Sequence, residues 1–305
     1  MKNFLIFGSN RLNENNPIGE FIKILKQKKI NYHLITEQRK LNIKSANNLF
    51  FKEFLKKKGI KYSVEKKINI NKIRKYINKN TVAISFNSTW KFKKDLIKLL
   101  KKNFYNYHCA DLPSQKGAGC ISWNILRDIY QTSLNFHLVT EEYDSGDIAL
   151  RKNINLPKKK INYPSDYLDY LSKFENFFFL NFVNKIMKDK IKLQKQTGNS
   201  FYWPRLNAEK DGRIDWSYNG DDIVKLIKAF SYPYSGAYTF IKNLKFKIYE
   251  AKFYKSKKFH PYQSGIVFRV EKNFIYVANA KGVIKIDKKS IICKKKTKFL
   301  GKKFL

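Results

Sequence analysis

The first 108 residues alternate short, strand-length apolar runs with longer stretches of helical spacing, and few architectures accept that rhythm. "NFLIFGSN" opens as a buried strand closing in a glycine-containing turn. "IGEFIKILKQKK" then sets Ile18, Phe21, Ile22 and Leu25 on one helical face, and "INYHLITE" is β-branched and aromatic over strand length. The helix "ANNLFFKEFLKKKG", the extended "IKYSVE", a helix near "INKIRKYINK", the strand "TVAISFN", the helix "KFKKDLIKLLKK" and the strand "FYNYH" continue the series. Strands taking turns with helices predict an α/β fold, a Rossmann-like and mostly parallel sheet with helices on both faces. Ligands of such sheets sit beyond the carboxyl ends of the strands, which is where Asn106 and His108 fall. No GxGxxG or GxxxxGKS follows the first strand, so a nucleotide-dependent oxidoreductase or an ATPase gains no support.

Further along, "CISWNILRDI" is expected to be helical, "TSLNFHLVT" and "DIALRKNINL" to be strands, and "SDYLDYLSKFENFFFLNFVNKIMKD" to be a long helix. The polar segment "LQKQTGNSFYWPRLNAEKDGR" breaks the pattern. From residue 214 one short helix, "GDDIVKLIKAF", precedes hairpin-like strands. Two domains are expected, residues 1–204 and a small β-rich domain over 205–305, with "CKKKTKFLGKKFL" a mostly solvated basic tail.

Charge narrows the function classes less than its size suggests. Lys and Arg number 63 against 24 Asp and Glu, for a net charge of +39. The excess is mostly Lys beside abundant Asn and Ile, the trio an AT-rich coding sequence would supply. Placement says more: residues 223–305 hold only Glu250, Glu271 and Asp287 as acids. Such a surface attracts RNA or a diphosphate, or is simply solvated. The apolar runs are too short for a membrane span or a signal peptide. Cys109, Cys120 and Cys293 form no CxxC, which fits a reduced, cytoplasmic protein. Ligands for a zinc site lack the necessary clustering, so no metal is expected. His33 and His260 read as structural or exposed, and His137 either faces the strand-end site or is a hydrogen-bonded core residue.

Chemistry concentrates in "NYHCADLPSQKGAGCISW", residues 106–123, and "EEYDSGDI", residues 141–148. On an extended strand Asn106 and His108 project from the same face, while Cys109 projects from the other. One out-and-back excursion separates them from Asp144 and Asp147. A carboxamide donor, an imidazole and a carboxylate together suit attack by an amine on a carbonyl. The plainer reading is a hydrogen-bonded strand end and an ordinary turn.

"NYHCADLPSQKG" resembles the Asn-x-His…Leu-Pro…Gly signature of the 10-formyltetrahydrofolate-dependent formyltransferases, and "YDSGDIAL" is similar to that family's Asp-x-Gly element. "ISFNSTWKFKKDLI" and "RIDWSYNGDDIVKLIKAFSYPYSGAYTFIKNLKFKIYEA" resemble its strand–helix before the catalytic strand and its C-terminal domain. The resemblance implies an OB-like second domain and a catalytic trio of Asn106 (oxyanion donor), His108 (proton acceptor or formyl polariser) and Asp144 (orienting carboxylate). It further implies pterin contacts at Ser85, Phe86, Asn87, Leu112, Tyr143, Ser145 and Gly146. For the acceptor, Lys116, Trp123, Tyr202, Trp203 and Arg205 are candidate contacts, the last for phosphate. Ala110, Lys116 and Asn135 stand where the family commonly has Ser, Arg and Thr. An ammonium cannot grip an anion as a guanidinium fork does.

The formyl donor implied is N10-formyltetrahydrofolate. "YWPRLNAEKDGRIDW" and "SYPYSGAYTF" are closest to the sugar-nucleotide branch, and the loop after "NYHLITEQRK" lacks the Gly-Arg-Gly of the tRNA enzymes. The expected acceptor is therefore a nucleotide-linked 4-amino sugar, with methionyl-tRNA the alternative and nucleic acid a partner only then. A homodimer is compatible with the resemblance, and a membrane partner is not implied. A polyanion-binding protein with an inactive site is the reading from another class.

Overall fold

The computed structural model describes residues 2–9, 16–44, 49–256, 259–295 and 297–305. The chain forms two compact units. The first comprises Met1–Cys120, Tyr130–Leu156 and Leu168–Trp203; the second comprises Ile121–Ile129, Pro157–Tyr167 and Pro204–Leu305.

In the first unit the strands are β1 (Asn3–Gly8), β2 (Tyr32–Thr36), β3 (Tyr62–Val64), β4 (Thr81–Phe86), β5 (Phe104–His108), β6 (Lys116–Gly117), β7 (Gln131–Leu138), β8 (Ile148–Asn155) and β9 (Tyr202–Trp203). Seven of them make one sheet in the order β3-β2-β1-β4-β5-β7-β8. Neighbours from β3 to β5 run parallel, while β5–β7 and β7–β8 are antiparallel. The mixed α/β architecture expected from the alternation is the one formed. Helices α1 (Pro17–Gln27), α2 (Gln38–Leu41), α3 (Phe51–Lys57), α4 (Ile70–Ile73) and α5 (Lys94–Leu100) fall between the parallel strands. Residues 46–48 of the expected second helix lie outside the described residues.

Local chemistry explains the boundaries. Asn16 caps α1 by accepting from Ile18 N at 3.0 Å, and Pro17 occupies the first turn, where its missing N–H costs nothing. The buried Ile18, Phe21, Ile22 and Leu25 of α1 follow the helical spacing read from sequence. Phe21 meets Phe4, Phe86 and Phe136 at ring separations of 5.7, 5.2 and 6.3 Å. Phe86, Tyr107 and Phe136, from three adjacent strands, share that sheet face. The opposite face is apolar through Leu5, Phe7, Ala83 and Phe104. Two residues further along β4 and β5 it turns polar, with Ser85 paired to Asn106.

Helices α6 (Cys120–Leu126), α7 (Pro164–Met187), α8 (Ala208–Asp211) and α9 (Gly220–Ala229) complete the helical elements. The second unit carries two antiparallel sheets. One is β10 (Ala237–Ile241), β11 (Leu244–Ile248) and β16 (Ile291–Ile292). The other is β12 (Ala251–Lys255), β15 (Gly282–Asp287), β14 (Phe274–Asn279) and β13 (Val267–Val270) in that spatial order. Their inward rows bury Phe246, Ile248, Val267, Ile275, Val277, Ile284 and Ile286 around Trp216.

The end of the chain is mostly exposed, as expected of the basic tail, but one buried residue anchors it. Phe304 is buried and stacks on Trp216, ring centroids 5.2 Å apart. Trp216 Nε1 donates to Thr239 Oγ1 at 2.9 Å, and that hydroxyl donates to the Leu305 carbonyl, also at 2.9 Å. The lysines dominate the composition of this segment, but a few aromatic residues decide where it goes, because burying a large ring outweighs keeping nearby ammonium groups in water.

Candidate functional site

The register between β5 and β7 builds one side of the site. Asn106 opposes His137 and His108 opposes Asn135. Directly opposed residues share a face, so four polar side chains meet where the apolar face of the sheet ends. Between Phe136 and His137 the register to β8 shifts: Phe136 opposes Leu150 while His137 opposes Ile148, leaving Ala149 as the extra residue of a bulge. The 143–146 turn enters just before β8, closed by Leu138 N donating to Asp147 O at 2.9 Å.

That turn delivers Asp144 to the strand pair. Asp144 Oδ1 accepts from Asn106 Nδ2 at 3.2 Å and lies 3.3 Å from His137 Nε2. Its Oδ2 accepts from Gly117 N at 2.8 Å and lies 3.8 Å from His108 Nδ1. Asp144 adopts φ +52°, a left-handed conformation that Asp tolerates better than most residues. Gly117 has φ +94°, and a Cβ there would come within 2.3 Å of Trp203 O on β9. At Gly146 a Cβ would meet Leu138 O at 2.0 Å. Both glycines are needed for the turn and the β6–β9 pair to close around the carboxylate.

Hydrogen-bond partners place the protons. Gln115 O can only accept, so His108 Nε2, 2.8 Å away, carries a hydrogen. His137 Nδ1 likewise donates to Leu138 O at 2.8 Å, which makes Nε2 of the neutral ring an acceptor for Asn106 Nδ2 at 3.2 Å. Burial opposes a charge on His108, but the Asp144 carboxylate outweighs it and holds the imidazole pKa up, to about 9. Burial would likewise raise the Asp144 pKa. The His108 charge and the Gly117 N–H overcome it and hold the carboxyl well below the usual carboxylate range. At neutral pH the pair is an imidazolium facing a carboxylate. Among the described residues no group of three His, Cys, Asp or Glu is arranged to hold a metal ion.

Asn106, His108 and Asp144 are thus brought together, and His137, left open by sequence, joins them. It is almost fully buried at 2% exposure. The available signal was its place on an alternating strand whose antiparallel partner is β5. Lys116 Nζ donates to Ser145 Oγ at 3.0 Å, and Ser145 Oγ donates to Tyr143 O at 3.1 Å, so Lys116 braces the Asp144 turn. The exposed rings of Tyr143 and Tyr202 lie 6.2 Å apart, and Trp203 Nε1 donates to Ser114 O at 3.2 Å.

Ser85 and Phe86 are buried, leaving mainly backbone to offer. Phe86 O accepts from Ser9 N at 3.3 Å, and Asn87 O accepts from Ser9 Oγ at 2.6 Å. Leu112 O accepts from Arg151 Nη1 at 2.6 Å. Trp123 and Arg205 belong to the second unit, where Trp123 Nε1 donates to Pro204 O at 2.9 Å.

Known proteins resemble this chain in sequence and in architecture. Residues 207–301 match the formyl transferase, C-terminal domain family. The bifunctional polymyxin resistance protein ArnA of Wigglesworthia glossinidia brevipalpis is 25% identical over 231 residues, covering 73% of this chain and 35% of that protein. A methionyl-tRNA formyltransferase of Thermodesulfovibrio yellowstonii is 25% identical over 193 residues, covering 63% of this chain and 60% of the relative. The chain thus matches about a third to three fifths of the length of these curated relatives. In structure it is similar to the N-formyltransferase from Helicobacter canadensis, described in complex with folinic acid and dTDP-3-aminofucose. That likeness has a TM-score of 0.69 and 17% identity, and covers 94% of this chain and 99% of the other. The resemblance to formyltransferases drawn from the motifs is met in both sequence and fold.

Proposed function

We propose that the chain is an N-formyltransferase that moves a formyl group from N10-formyltetrahydrofolate to the amine of a nucleotide-linked 4-amino sugar. The observation that carries this reading is the meeting of Asn106 and His108 of β5 with Asp144 from a turn 36 residues beyond His108, at 3.2 and 3.8 Å. When bound, the folate supplies an activated formyl carbon. The donor set fits such a ligand. The carbonyls of Phe86, Leu112 and Tyr143 each accept a bond from the chain, and a carbonyl oxygen has two lone pairs with which to accept. The Tyr143 ring, 52% exposed, offers a flat apolar surface.

Of the two roles implied for His108, its charge favours polarisation. An imidazole held protonated by Asp144 donates and cannot accept the amine proton until it has given one up. Asn106 Nδ2 presents its hydrogens at Asp144 Oδ1 and His137 Nε2, so donating to a developing oxyanion exchanges one of these bonds for a charge-assisted one. Asp144 orients both partners and holds the positive charge on His108.

The sugar acceptor is supported by "YWPRLNAEKDGRIDW" and by a fold shared over nearly the whole length of a protein described with an amino-sugar nucleotide. Methionyl-tRNA is the second reading, favoured by the Thermodesulfovibrio relative and the basic second unit. The test supplies N10-formyltetrahydrofolate with dTDP-, GDP- or UDP-linked amino sugars, or with Met-tRNA, and follows tetrahydrofolate release. Turnover with tRNA alone overturns the sugar acceptor. Release with none of them, above the rate without enzyme, overturns formyl transfer to these acceptors.

A further inference from the structure

The polar stretch "LQKQTGNSFYWPRLNAEKDGR" breaks the α/β pattern in sequence, yet residues 194–203 grip the Asp144 turn repeatedly. Ile148 and Gln194 form an antiparallel bridge, Ile148 N donating to Gln194 O at 2.8 Å and Gln194 N to Ile148 O at 2.9 Å. Gln196 Nε2 donates to Asp144 O and to Gly146 O, both at 2.8 Å. Tyr202 and Trp203 then pair with Lys116 and Gly117, the strand whose Gly117 N–H holds Asp144 Oδ2.

We infer that Gln196 is a positioning residue whose carboxamide clamps the backbone on both sides of Ser145 and so fixes where the Asp144 carboxylate sits. Two acceptors, Asp144 O and Gly146 O, face one end of this amide, and that end must be the –NH2 group. Both of its hydrogens are therefore spent on the turn. Its Oε1 is buried without a partner, a cost accepted while both donors are in use. The clamp acts on a left-handed residue, a conformation held only where surroundings over-determine it. Releasing the two carbonyls frees the turn to relax, carrying the carboxylate off His108 and the Gly117 N–H. A misplacement near 1 Å lowers turnover by about a hundredfold in a site that works by orientation.

The activity arm of the test rests on the proposed formyl transfer; the spectroscopic arm does not. Gln196→Met keeps the shape and removes both donors, and Gln196→Glu turns an ionised carboxylate toward two carbonyls at neutral pH. Each is expected to lower kcat about tenfold to a hundredfold while KM for folate and for acceptor changes less than about threefold. In each, the Gly117 amide resonance should move and the His108 titration, followed by NMR of labelled histidine, should fall. Unchanged Gly117 and His108 signals in a folded variant overturn the clamp, whatever happens to kcat, and so does kcat within about twofold of the parent. If the Met variant does not fold, the Glu variant decides by the same signals. Absence of turnover in the parent chain, with both signals moved, removes the formyl-transfer reading and leaves the clamp standing.

Discussion

At the carboxyl end of β5 the chain buries two imidazoles, a carboxylate and a carboxamide side by side; around Trp216 in the second unit it buries rings and branched aliphatics. In the second unit local preferences agree with one another. Inward β positions are Ile, Val and Phe, Phe304 stacks on Trp216, and the Trp216 indole N–H finds Thr239. At the carboxyl end of β5 they do not: Asp144 is left-handed, Gln196 Oε1 and Asn135 Oδ1 are buried without partners, and an imidazolium faces a carboxylate out of water. Charges removed from solvent cost several kcal/mol each before pairing recovers it. One region spends its interior on stability, the other on placing charge, and the difference coincides with the proposed site.

The comparison breaks first if the apolar region proves expendable. Phe304→Ala removes a buried ring stacked on Trp216 and should cost about 3–5 kcal/mol in chemical unfolding of the second unit. A loss under about 1 kcal/mol would mean that the end of the chain is not part of that core.

The polar region is tested through Asp144→Asn, which keeps the shape and removes the charge. Turnover should drop at least about a hundredfold, the scale of a lost charge-stabilising group (about 2.7 kcal/mol). With the attraction gone and burial remaining, His108 should titrate below its ordinary 6.5 instead of near 9. The stability profile changes as well. The raised His108 pKa contributes stability that is full below about 6.5 and lost as pH rises through about 9. The lowered Asp144 pKa contributes stability present above about 3.8 and lost as pH falls toward its depressed value. Asp144→Asn should flatten both limbs in pH-dependent unfolding; an unchanged His108 titration would disconnect the pair.

The smallest effect sharpens the contrast inside the apolar region. Thr239→Val keeps volume but strands the Trp216 N–H, at a cost of about 1–2 kcal/mol by thermal unfolding. A neutral result would show that this single polar link is dispensable.

Legibility followed the range of the interactions. "FYNYH" was readable to the residue, because a buried strand declares itself by local pattern, and Asn106 and His108 came with it. Asp144 was readable through a motif that carries its own turn. His137 stays open in sequence, since facing the site depends on the register of β7 against β5, 31 residues away. Gln196 gave no sign at all: its two bonds reach back 52 and 50 residues to carbonyls that have no sequence signature. Phe304 was lost beneath lysines for a related reason, its partner Trp216 lying in a remote part of the chain.

Ala149, the unpaired residue opposite the Phe136–His137 step, sets the phase at which the chain leaves the sheet for the Asp144 turn. Take it out, and the backbone ahead of β8 must be drawn in by one residue's rise, about 3.4 Å, more than any contact of that carboxylate can stretch. Every reactive group would still be encoded, spelled as before and merely out of step. For this end of the sheet, chain length counts as much as chemistry, and a frame-preserving deletion is the cleanest silencer.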